Sequence, residues 1–314
     1  MSVPAAYLGV ILIWSTTPLA IQWSGEGGGF LFGVTARMLL GALLCLALMG
    51  ALSIPLPRHR RAWYAYLAAG MSIYTAMLSV YWSAQFIPSG LISVVFGLAP
   101  IVTGLMAALW LEESAFTPGR LLGMLLGVSG LGVIFEVGGG LGDQAVYGIA
   151  GVTLAVVLHS ASAIWIKRID AGLHPLSQTG GGLLVAAPLY ALTWGLADGG
   201  LPTGVSERAL LSILYLALMG SVLGFMLYYY ALKHLAATRL ALIPLITPVL
   251  ALLLGTLFND ETLTPRMLLG VSVVLAGLVA YQWGDRLRPA RREALAGEQA
   301  QARQGVSRRV PARD

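Results

Sequence analysis

Several side chains that could do chemistry lie within stretches that are otherwise apolar. Arg37, Trp14 and His159 stand out, because no further charged residue lies within seven positions of any of them. A charged or titratable group in such surroundings is costly, so it either faces a cavity or pairs with a neighbouring group. An imidazole can gain a proton near neutral pH, and a guanidinium can bind a carboxylate through two parallel hydrogen bonds. The chemistry that these residues offer is therefore ligand binding or proton transfer.

Motifs for other kinds of chemistry are absent from the sequence. A P-loop needs Gly-Lys-Ser or Gly-Lys-Thr, but the two lysines, Lys167 and Lys233, both follow apolar residues. Neither H-E-x-x-H nor G-x-S-x-G occurs. The histidines are too scattered for a set of metal ligands: His59, His159, His174 and His234. The sequence therefore predicts no ATPase, no enzyme, no metal and no cofactor, and the single cysteine, Cys45, excludes an intrachain disulfide.

The elements that carry these residues are long and apolar. Hydrophobic residues make up 57% of the 314-residue chain and charged residues 11%, against about 45–50% and about 25% in soluble domains. A helix crosses a bilayer with about 20 apolar residues. Runs of this length cover residues 4–23, 30–50, 63–84, 87–111, 118–137, 146–168, 177–197, 208–231, 236–258 and 264–284. We therefore predict an all-α membrane protein with ten transmembrane helices, spans 1 to 10.

The distribution of positive charge predicts how the chain is oriented. With both termini in the cytoplasm, sixteen of the 19 Lys and Arg residues fall in cytoplasmic segments, and only Arg208 and Arg266 fall outside. Cytoplasmic loops carry such an excess of positive charge. We therefore expect a multi-pass protein of the cell inner (plasma) membrane. The basic tail, residues 285–314, is predicted to be disordered and cytoplasmic, where it suits an anionic lipid surface, and we expect no nucleic-acid partner.

A repeat relates the two halves of the chain. At a shift of 148 residues, Tyr81-Trp82-Ser83 falls on Tyr229-Tyr230-Ala231, Pro100 on Pro248, and Glu112-Glu113 on Asp260-Glu261. Residues 1–137 and 146–284 are thus predicted to be two domains of five spans each. Because five is odd, the second half enters the membrane upside down relative to the first. Inverted repeats of this kind are typical of secondary transporters, whose substrate site lies between the halves near the middle of the bilayer.

The order of these features resembles the drug/metabolite transporter superfamily, and in particular its ten-helix EamA branch. The resemblance rests on Arg37, Arg58-His59-Arg60-Arg61, Pro100 and Glu113 in the first half, and on Tyr230-Ala231-Leu232-Lys233, Pro244, Pro248, Glu261 and Gly270 in the second. It covers residues 4–284. It implies ten helices around a central cavity lined by spans 1, 3, 4, 6, 8 and 9. It also implies export of amino acids or other small metabolites without ATP hydrolysis.

The predicted substrate site consists of aromatic, polar, Met and Pro residues near the middle of their spans. They are Trp14, Thr17, Tyr74, Met77, Pro100, His159, Phe225, Tyr229 and Pro248. Aromatic and Met side chains suit an amphiphilic substrate with an apolar body. Each proline removes a backbone donor and kinks its helix, which is tolerated beside a cavity but not against lipid. The matching positions of Pro100 and Pro248 therefore favour a shared role in a hinge or in binding.

Structural alternatives exist for several of these residues. His159 either faces the substrate, with protons as a candidate coupling ion, or is a neutral side chain hydrogen-bonded to a neighbouring helix. Arg37 either ties span 2 to the carbonyl groups of a neighbour, which is the favoured interpretation, or attracts a substrate carboxylate. Trp14 either lines the cavity or fills space between helices.

Two further patterns lie outside the predicted substrate site. Glu112-Glu113 and Asp260-Glu261 close spans 4 and 9, where solvated helix ends explain them and gating through Arg120 or Arg266 is the alternative. Gly123-x-x-x-Gly127 in span 5, echoed by Gly270 and Gly277 in span 10, predicts close helix packing within the chain or between chains.

These observations predict a secondary transporter that exports small organic metabolites, such as amino acids or related amphiphilic compounds, by alternating access. A passive channel or a membrane sensor is the alternative. A membrane-embedded enzyme that modifies lipids is a more distant one, because the deep spans hold lone polar groups rather than a paired set. The expected partners are the small-molecule substrate, the lipid bilayer and, as a coupling ion, protons.

Overall fold

Helices carry the predicted apolar runs throughout the part of the chain that can be described. The computed structural model describes residues 2–110, 117–135, 144–197, 199–235, 240, 243 and 246–283. The helices with described bounds are α1 (Val3–Ser24), α2 (Gly29–Ala51), α3 (Arg60–Ser83), α4 (Ser89–Phe96), α5 (Ala99–Trp110), α6 (Pro118–Phe135), α7 (Ala145–Ile169), α8 (Pro175–Ala197), α9 (Glu207–Tyr215), a π-helix (Leu216–Leu223), α10 (Gly224–His234), α11 (Thr247–Phe258) and α12 (Pro265–Trp283). Each predicted run overlaps at least one of them. The tail (285–314), Glu112, Glu113 and Pro244 lie outside the described residues.

Among the described residues, six helical stretches are long and apolar enough to cross a bilayer. They are Val3–Ser24, Gly29–Ala51, Ser89–Trp110, Ala145–Ile169, Pro175–Ala197 and Glu207–His234. Large apolar side chains cover the outer surfaces of several helices, and Leu43 and Leu125 are 66% and 68% exposed. Extensive exposure of such side chains is unfavourable in water but suits contact with lipid. The prediction of a helical, multi-pass membrane protein is confirmed.

Side chains next to the membrane-crossing stretches fix where several helices begin. The Oγ atom of Ser206 accepts a hydrogen bond from the Ala209 amide, 3.0 Å away, at the start of α9. His59 plays the same part for α3, since its Nδ1 atom accepts from the Ala62 amide at 3.2 Å. These caps satisfy amide groups that have no partner within the first helical turn.

Proline interrupts two of the predicted spans at equivalent places. In span 4, α4 ends at Phe96 and α5 begins at Ala99, with Pro100 as its second residue. In span 9, α11 begins at Thr247, with Pro248 as its second residue. Proline has no amide hydrogen and is well suited to the first turn of a helix. α5 and α11 each have 12 residues, and their bounds differ by the same 148 positions as the sequence repeat.

Span 8 contains a different irregularity. Its central part, Leu216–Leu223, is a π-helix between α9 and α10, and the Gly224 amide donates to the carbonyl group of Met219. A π-helix has a wider turn than an α-helix, so one extra residue is accommodated and the local side chains are redirected. π-Helical turns occur frequently at functional sites.

The interrupted helices lie at the centre of the bundle. α1 packs against α4, α10 and α11, and α4 also packs against α7 and α11. α2 contacts the π-helix and α8, while α3 packs against α7 and α8. The helix ends and the irregular turns of spans 4, 8 and 9 therefore surround a common interior.

Glycine residues bring α6 and α12 into direct backbone contact. A Cβ atom added at Gly123 would lie 2.5 Å from the carbonyl oxygen of Gly277, and one at Gly277 would lie 2.7 Å from the Gly127 amide nitrogen. A Cβ atom at Gly130 would similarly lie 2.8 Å from the carbonyl oxygen of Gly270. The close packing predicted from the glycine pattern is thus present within the chain, between spans 5 and 10.

We expect Gly123→Val to destabilise the protein by about 1–3 kcal/mol or more, because the added atoms collide with the backbone of α12. Thermal unfolding of the purified protein in detergent measures the effect. Gly132→Val is the matched control, since it changes the same residue type on the same helix, where nothing lies within 4 Å of an added Cβ atom. Equal losses for the two variants would contradict the assigned role of this glycine contact.

Candidate functional site

A central cavity lies where α1, α2, α3, α4, α7, α10, α11 and the π-helix approach one another. The cavity volume is about 70 Å³. The lining residues are Trp14, Thr17, Pro18, Ile21, Arg37, Met77, Val80, Ile92, Ser93, Phe96, His159, Gly220, Phe225 and Thr247. A concave space lined mainly by apolar and aromatic residues, with a few polar groups among them, is typical of sites for small molecules.

Aromatic rings form one wall of the cavity. The ring of Trp14 stacks on Tyr228 with centroids 5.2 Å apart, and it meets His159 edge-on at 5.7 Å. His159 also lies 5.1 Å from the Tyr228 ring and 6.5 Å from Phe96. Offset and edge-on contacts at these distances are favourable between aromatic rings. The wall therefore offers a flat apolar body a place to pack.

His159 has no hydrogen-bond partner among the residues that the structure describes. A hydrogen bond from this imidazole to a neighbouring helix is one of the two predicted alternatives, but the described contacts of His159 are with aromatic rings. Since His159 lines the cavity, its ring nitrogen atoms can form hydrogen bonds with a molecule bound there.

Arg37 is the buried charged residue of the cavity. Only 1% of its surface is exposed. Its Nε atom donates to the Oγ atom of Ser221 at 2.9 Å, and its Nη1 atom donates to the hydroxyl group of Tyr81 at 3.3 Å. The predicted tie between span 2 and its neighbours therefore exists, but it is made to hydroxyl groups and not to backbone carbonyls.

The π-helix makes room for the guanidinium. A Cβ atom at Gly220 would lie 2.9 Å from the Nη2 atom of Arg37, so a larger residue there would displace the side chain. Gly41, on α2, makes room for Ser221 in the same way, because a Cβ atom added at Gly41 would lie 3.0 Å from the Cβ atom of Ser221. Two glycines and a widened turn thus bring Arg37 and Ser221 together.

The structure brings together five of the predicted substrate residues. Trp14, Thr17, Met77, His159 and Phe225 line the cavity. Their role as substrate ligands stays a prediction. The hydroxyl group of Thr17 already donates to the carbonyl group of Ile13 at 2.7 Å, so it has an acceptor within its own helix.

The other four predicted residues lie elsewhere. The hydroxyl groups of Tyr74 and Thr193 are 2.6 Å apart, which joins α3 to α8 away from the cavity. Tyr229 lines a second pocket, and Pro100 and Pro248 are buried at the starts of α5 and α11. A position near the middle of a predicted span therefore does not determine which face of the helix a residue occupies.

Several lining or supporting residues are not among those predicted from the sequence. Ile92, Ser93 and Phe96 come from α4, which begins only after the turn at Pro88. Gly220 and Ser221 are placed by the π-helix, for which the sequence gives no signal. The alignment of the repeat could have drawn attention to α4, because it ends just before the break at Pro100.

Glu261 caps α4 at one end of the bundle. Its carboxylate accepts hydrogen bonds from the Ser89 amide at 2.9 Å and from the Gly90 amide at 3.3 Å. The Nδ2 atom of Asn259 donates to the same carboxylate at 3.1 Å. A negative charge at a helix N-terminus is favourable. Glu261 is therefore not a solvated helix end, and it contacts backbone amides of α4 and not Arg266.

Amide side chains strengthen this end of the bundle, which we call the Glu261 end (residues 24–29, 84–88 and 259–264). The Nε2 atom of Gln22 donates to the carbonyl group of Ile87 at 2.9 Å, and Asn259 donates to the Oε1 atom of Gln22 at 3.1 Å. The Nε1 atom of Trp23 donates to Asn259 at 2.9 Å. Spans 1, 4 and 9 are thus joined at one end of the cavity.

Both lysines lie at the opposite end, which we call the Lys233 end (residues 52–59 and 170–174). This end contains a pocket of about 70 Å³, lined by residues that include Lys167, Gln178, Tyr229 and Lys233. Lys233 donates to the carbonyl group of Leu173 at 3.2 Å. Between this pocket and the central cavity lie the buried rings of Phe225, Tyr228 and Tyr229. Their centroids are 5.4–6.3 Å apart along α10. An aromatic layer therefore separates the two spaces.

Comparison with known proteins identifies relatives over most of the chain. The model of the EamA-like transporter family matches residues 3–136 and again residues 146–281. A protein of Archaeoglobus fulgidus named "Uncharacterized transporter" is 29% identical over 210 residues, which cover 67% of this chain and 72% of the relative.

Two further relatives span more of the chain. The "Probable terminal-alkyne amino-acid exporter" of Streptantibioticus cattleyicolor is 28% identical, covering 86% of this chain and 89% of the relative. The "Uncharacterized inner membrane transporter YedA" of Escherichia coli is 24% identical, covering 91% and 92%. A solved structure described as "Crystal structure of protein" superposes with a TM-score of 0.69 over 91% of this chain and 99% of that one, at 19% identity. This similarity shows a shared fold.

We expect Glu261→Gln to lower the free energy of unfolding by about 1 kcal/mol, because it removes the negative charge at the α4 N-terminus. Thermal unfolding in detergent at low salt measures the change. Asp260→Asn is the matched control: Asp260 is exposed, and asparagine tolerates its positive φ of 49°. The cap assignment fails if both variants unfold at the wild-type temperature.

Proposed function

Because the chain belongs to the EamA-like transporter family, we propose that it is a secondary transporter that exports small organic metabolites across the cell inner membrane. In this proposal the two five-span halves, residues 1–137 and 146–284, are inverted repeats that rock about the central cavity. Net export is driven by the substrate gradient or by exchange with protons.

The observation that carries this proposal is a cavity lined by both halves of the chain. Trp14, Arg37 and Met77 come from the first half, and His159 and Phe225 come from the second. A molecule in this space contacts helices of both halves at once. Relative movement of the halves can then open the cavity first to one side of the membrane and afterwards to the other, as alternating access requires.

Two sets of contacts are suited to act as gates. The Glu261 end, with its cap on α4 and its bond between Gln22 and Asn259, closes the outer side. The aromatic layer of Phe225, Tyr228 and Tyr229 closes the inner side. This assignment follows from the excess of Lys and Arg at the other end, which places both termini in the cytoplasm.

The wall of the cavity favours substrates with an apolar body. Trp14, Phe96 and His159 offer ring surfaces, and Met77 and Phe225 extend them. The relative from Streptantibioticus cattleyicolor is named an amino-acid exporter, which supports amino acids or related amphiphilic compounds as candidates.

We expect the purified protein in liposomes to catalyse counterflow of a radiolabelled amino acid, found by screening a panel of amino acids and small metabolites. Trp14→Ala should reduce the rate at least tenfold, because it removes the centre of the aromatic wall. Trp63→Ala is the matched control, since Trp63 is 50% exposed on the outside of α3. A flux that unlabelled substrate on the opposite side of the membrane does not stimulate would indicate a channel. Loss of flux in both variants would contradict the assigned site.

Proton coupling through His159 makes a separate prediction. We expect His159→Gln to retain counterflow but to lose uptake driven by an imposed pH gradient, since an amide cannot carry the proton. His174→Gln, a change at an exposed histidine outside the cavity, should behave like the wild type. If His159→Gln keeps the wild-type pH profile, His159 does not couple proton movement to transport.

A further inference from the structure

Arg37 carries a charge that the described protein does not neutralise. Its hydrogen-bond partners, Ser221 and Tyr81, are neutral hydroxyl groups. Across the part of the chain that the structure describes, the one salt bridge joins Arg208 to Glu26, and no carboxylate lies within reach of Arg37. A buried cation without a counter-ion is unfavourable in a membrane protein, so another negative group is expected to approach it.

The guanidinium has donors left over for such a group. It carries five N–H groups, of which one on Nε and one on Nη1 are in use. No described residue accepts a hydrogen bond from Nη2, and the neighbouring Gly220 has no side chain that could cover it. Arg37 lines the central cavity, so a planar anion in that space can reach the unused donors.

The rest of the lining determines what the anion is attached to. Arg37 is the single formally charged residue among the described residues that line the cavity. Trp14, Phe96 and His159 provide an aromatic surface, and hydroxyl groups come from Thr17, Ser93 and Thr247. The cavity therefore combines one cationic position with a mainly apolar remainder.

We propose that the cavity binds its substrate through a carboxylate that accepts hydrogen bonds from Arg37, with an apolar or aromatic body packed against Trp14, Phe96 and His159. This inference rests on the proposed function and gives it a substrate class. A simple monocarboxylate and the carboxylate of a zwitterionic amino acid share the chemistry that Arg37 recognises. The cavity's hydroxyl groups and its aromatic faces are suited to an amino-acid ammonium group.

Four small compounds with the same phenyl body test the proposal. Phenylacetate carries a carboxylate, phenylalanine carries a carboxylate and an ammonium group, phenylacetamide is neutral, and phenethylamine is a cation. Binding to the purified full-length protein is measured by isothermal calorimetry and by the rise in melting temperature. We expect at least one of the two carboxylates to bind at least tenfold more tightly than phenylacetamide or phenethylamine, because hydrogen bonds between charged groups are the stronger ones.

Variants then assign the preference to Arg37. Arg37→Gln should abolish the difference between carboxylate and amide, and Arg37→Lys should retain part of it, because an ammonium keeps the charge without the planar fork. Arg208→Gln is the control, since it removes a cation that lies outside the central cavity, and it should leave the preference intact. If Arg37→Gln does not fold, the comparison of the four compounds on the wild-type protein still decides whether a carboxylate is required.

The outcomes separate this inference from the proposed function. Equal or tighter binding of phenylacetamide or phenethylamine would overturn the inference, as would the absence of saturable binding by both carboxylates. Counterflow of phenethylamine but of neither carboxylate would leave a transporter standing and the inference refuted. Tight binding of a carboxylate through Arg37 without counterflow of any compound would support the inference and refute transport. A comparison of the affinities of phenylacetate and phenylalanine then distinguishes a monocarboxylate site from an amino-acid site.

Discussion

The structure depends on a constraint that lipid imposes on the polypeptide backbone. Within a bilayer every peptide N–H and C=O group must find its partner inside the protein, so irregular backbone is tolerated only where protein or a cavity surrounds it. The irregular turns obey this rule. α4 ends at Phe96, α11 begins at Thr247 and the π-helix contains Gly220, and all three residues line the central cavity. The position of the cavity therefore coincides with the positions at which the helices are interrupted.

Arg37 adds an electrostatic constraint to this geometry. Its hydrogen bond to Tyr81 stays within the first half of the chain, whereas its hydrogen bond to Ser221 reaches the π-helix of the second half. A single side chain thus connects two elements that a rocking mechanism would move relative to each other. The width of the π-helical turn and the absence of a side chain at Gly220 both serve to admit it.

Much of the fold could be predicted from the sequence, because bilayer thickness fixes the length of an apolar run. The close packing of Gly123 and Gly277 was also predictable, although their pairing was not. The site was harder to predict. Trp14 and His159 line the cavity, whereas Tyr74, also near the middle of its predicted span, faces α8. A span that is apolar on all sides gives no periodicity to orient it. The contacts of Arg37 with Ser221 and of Glu261 with Ser89 join residues 184 and 172 positions apart, which no local pattern reveals.

The glycine contact between α6 and α12 has a mechanical consequence. α6 is the last described helix of the first half and α12 the last described helix of the second, and neither contributes a residue to the cavity lining. The backbones of α6 and α12 are in direct contact at these glycines, so the two halves have little room to separate there. In the proposed rocking mechanism, this contact is suited to serve as the axis, with displacement growing with distance from it. In that mechanism the helices that contact the substrate are not the helices that form the axis. Side chains around the substrate can therefore change without altering the contact between α6 and α12.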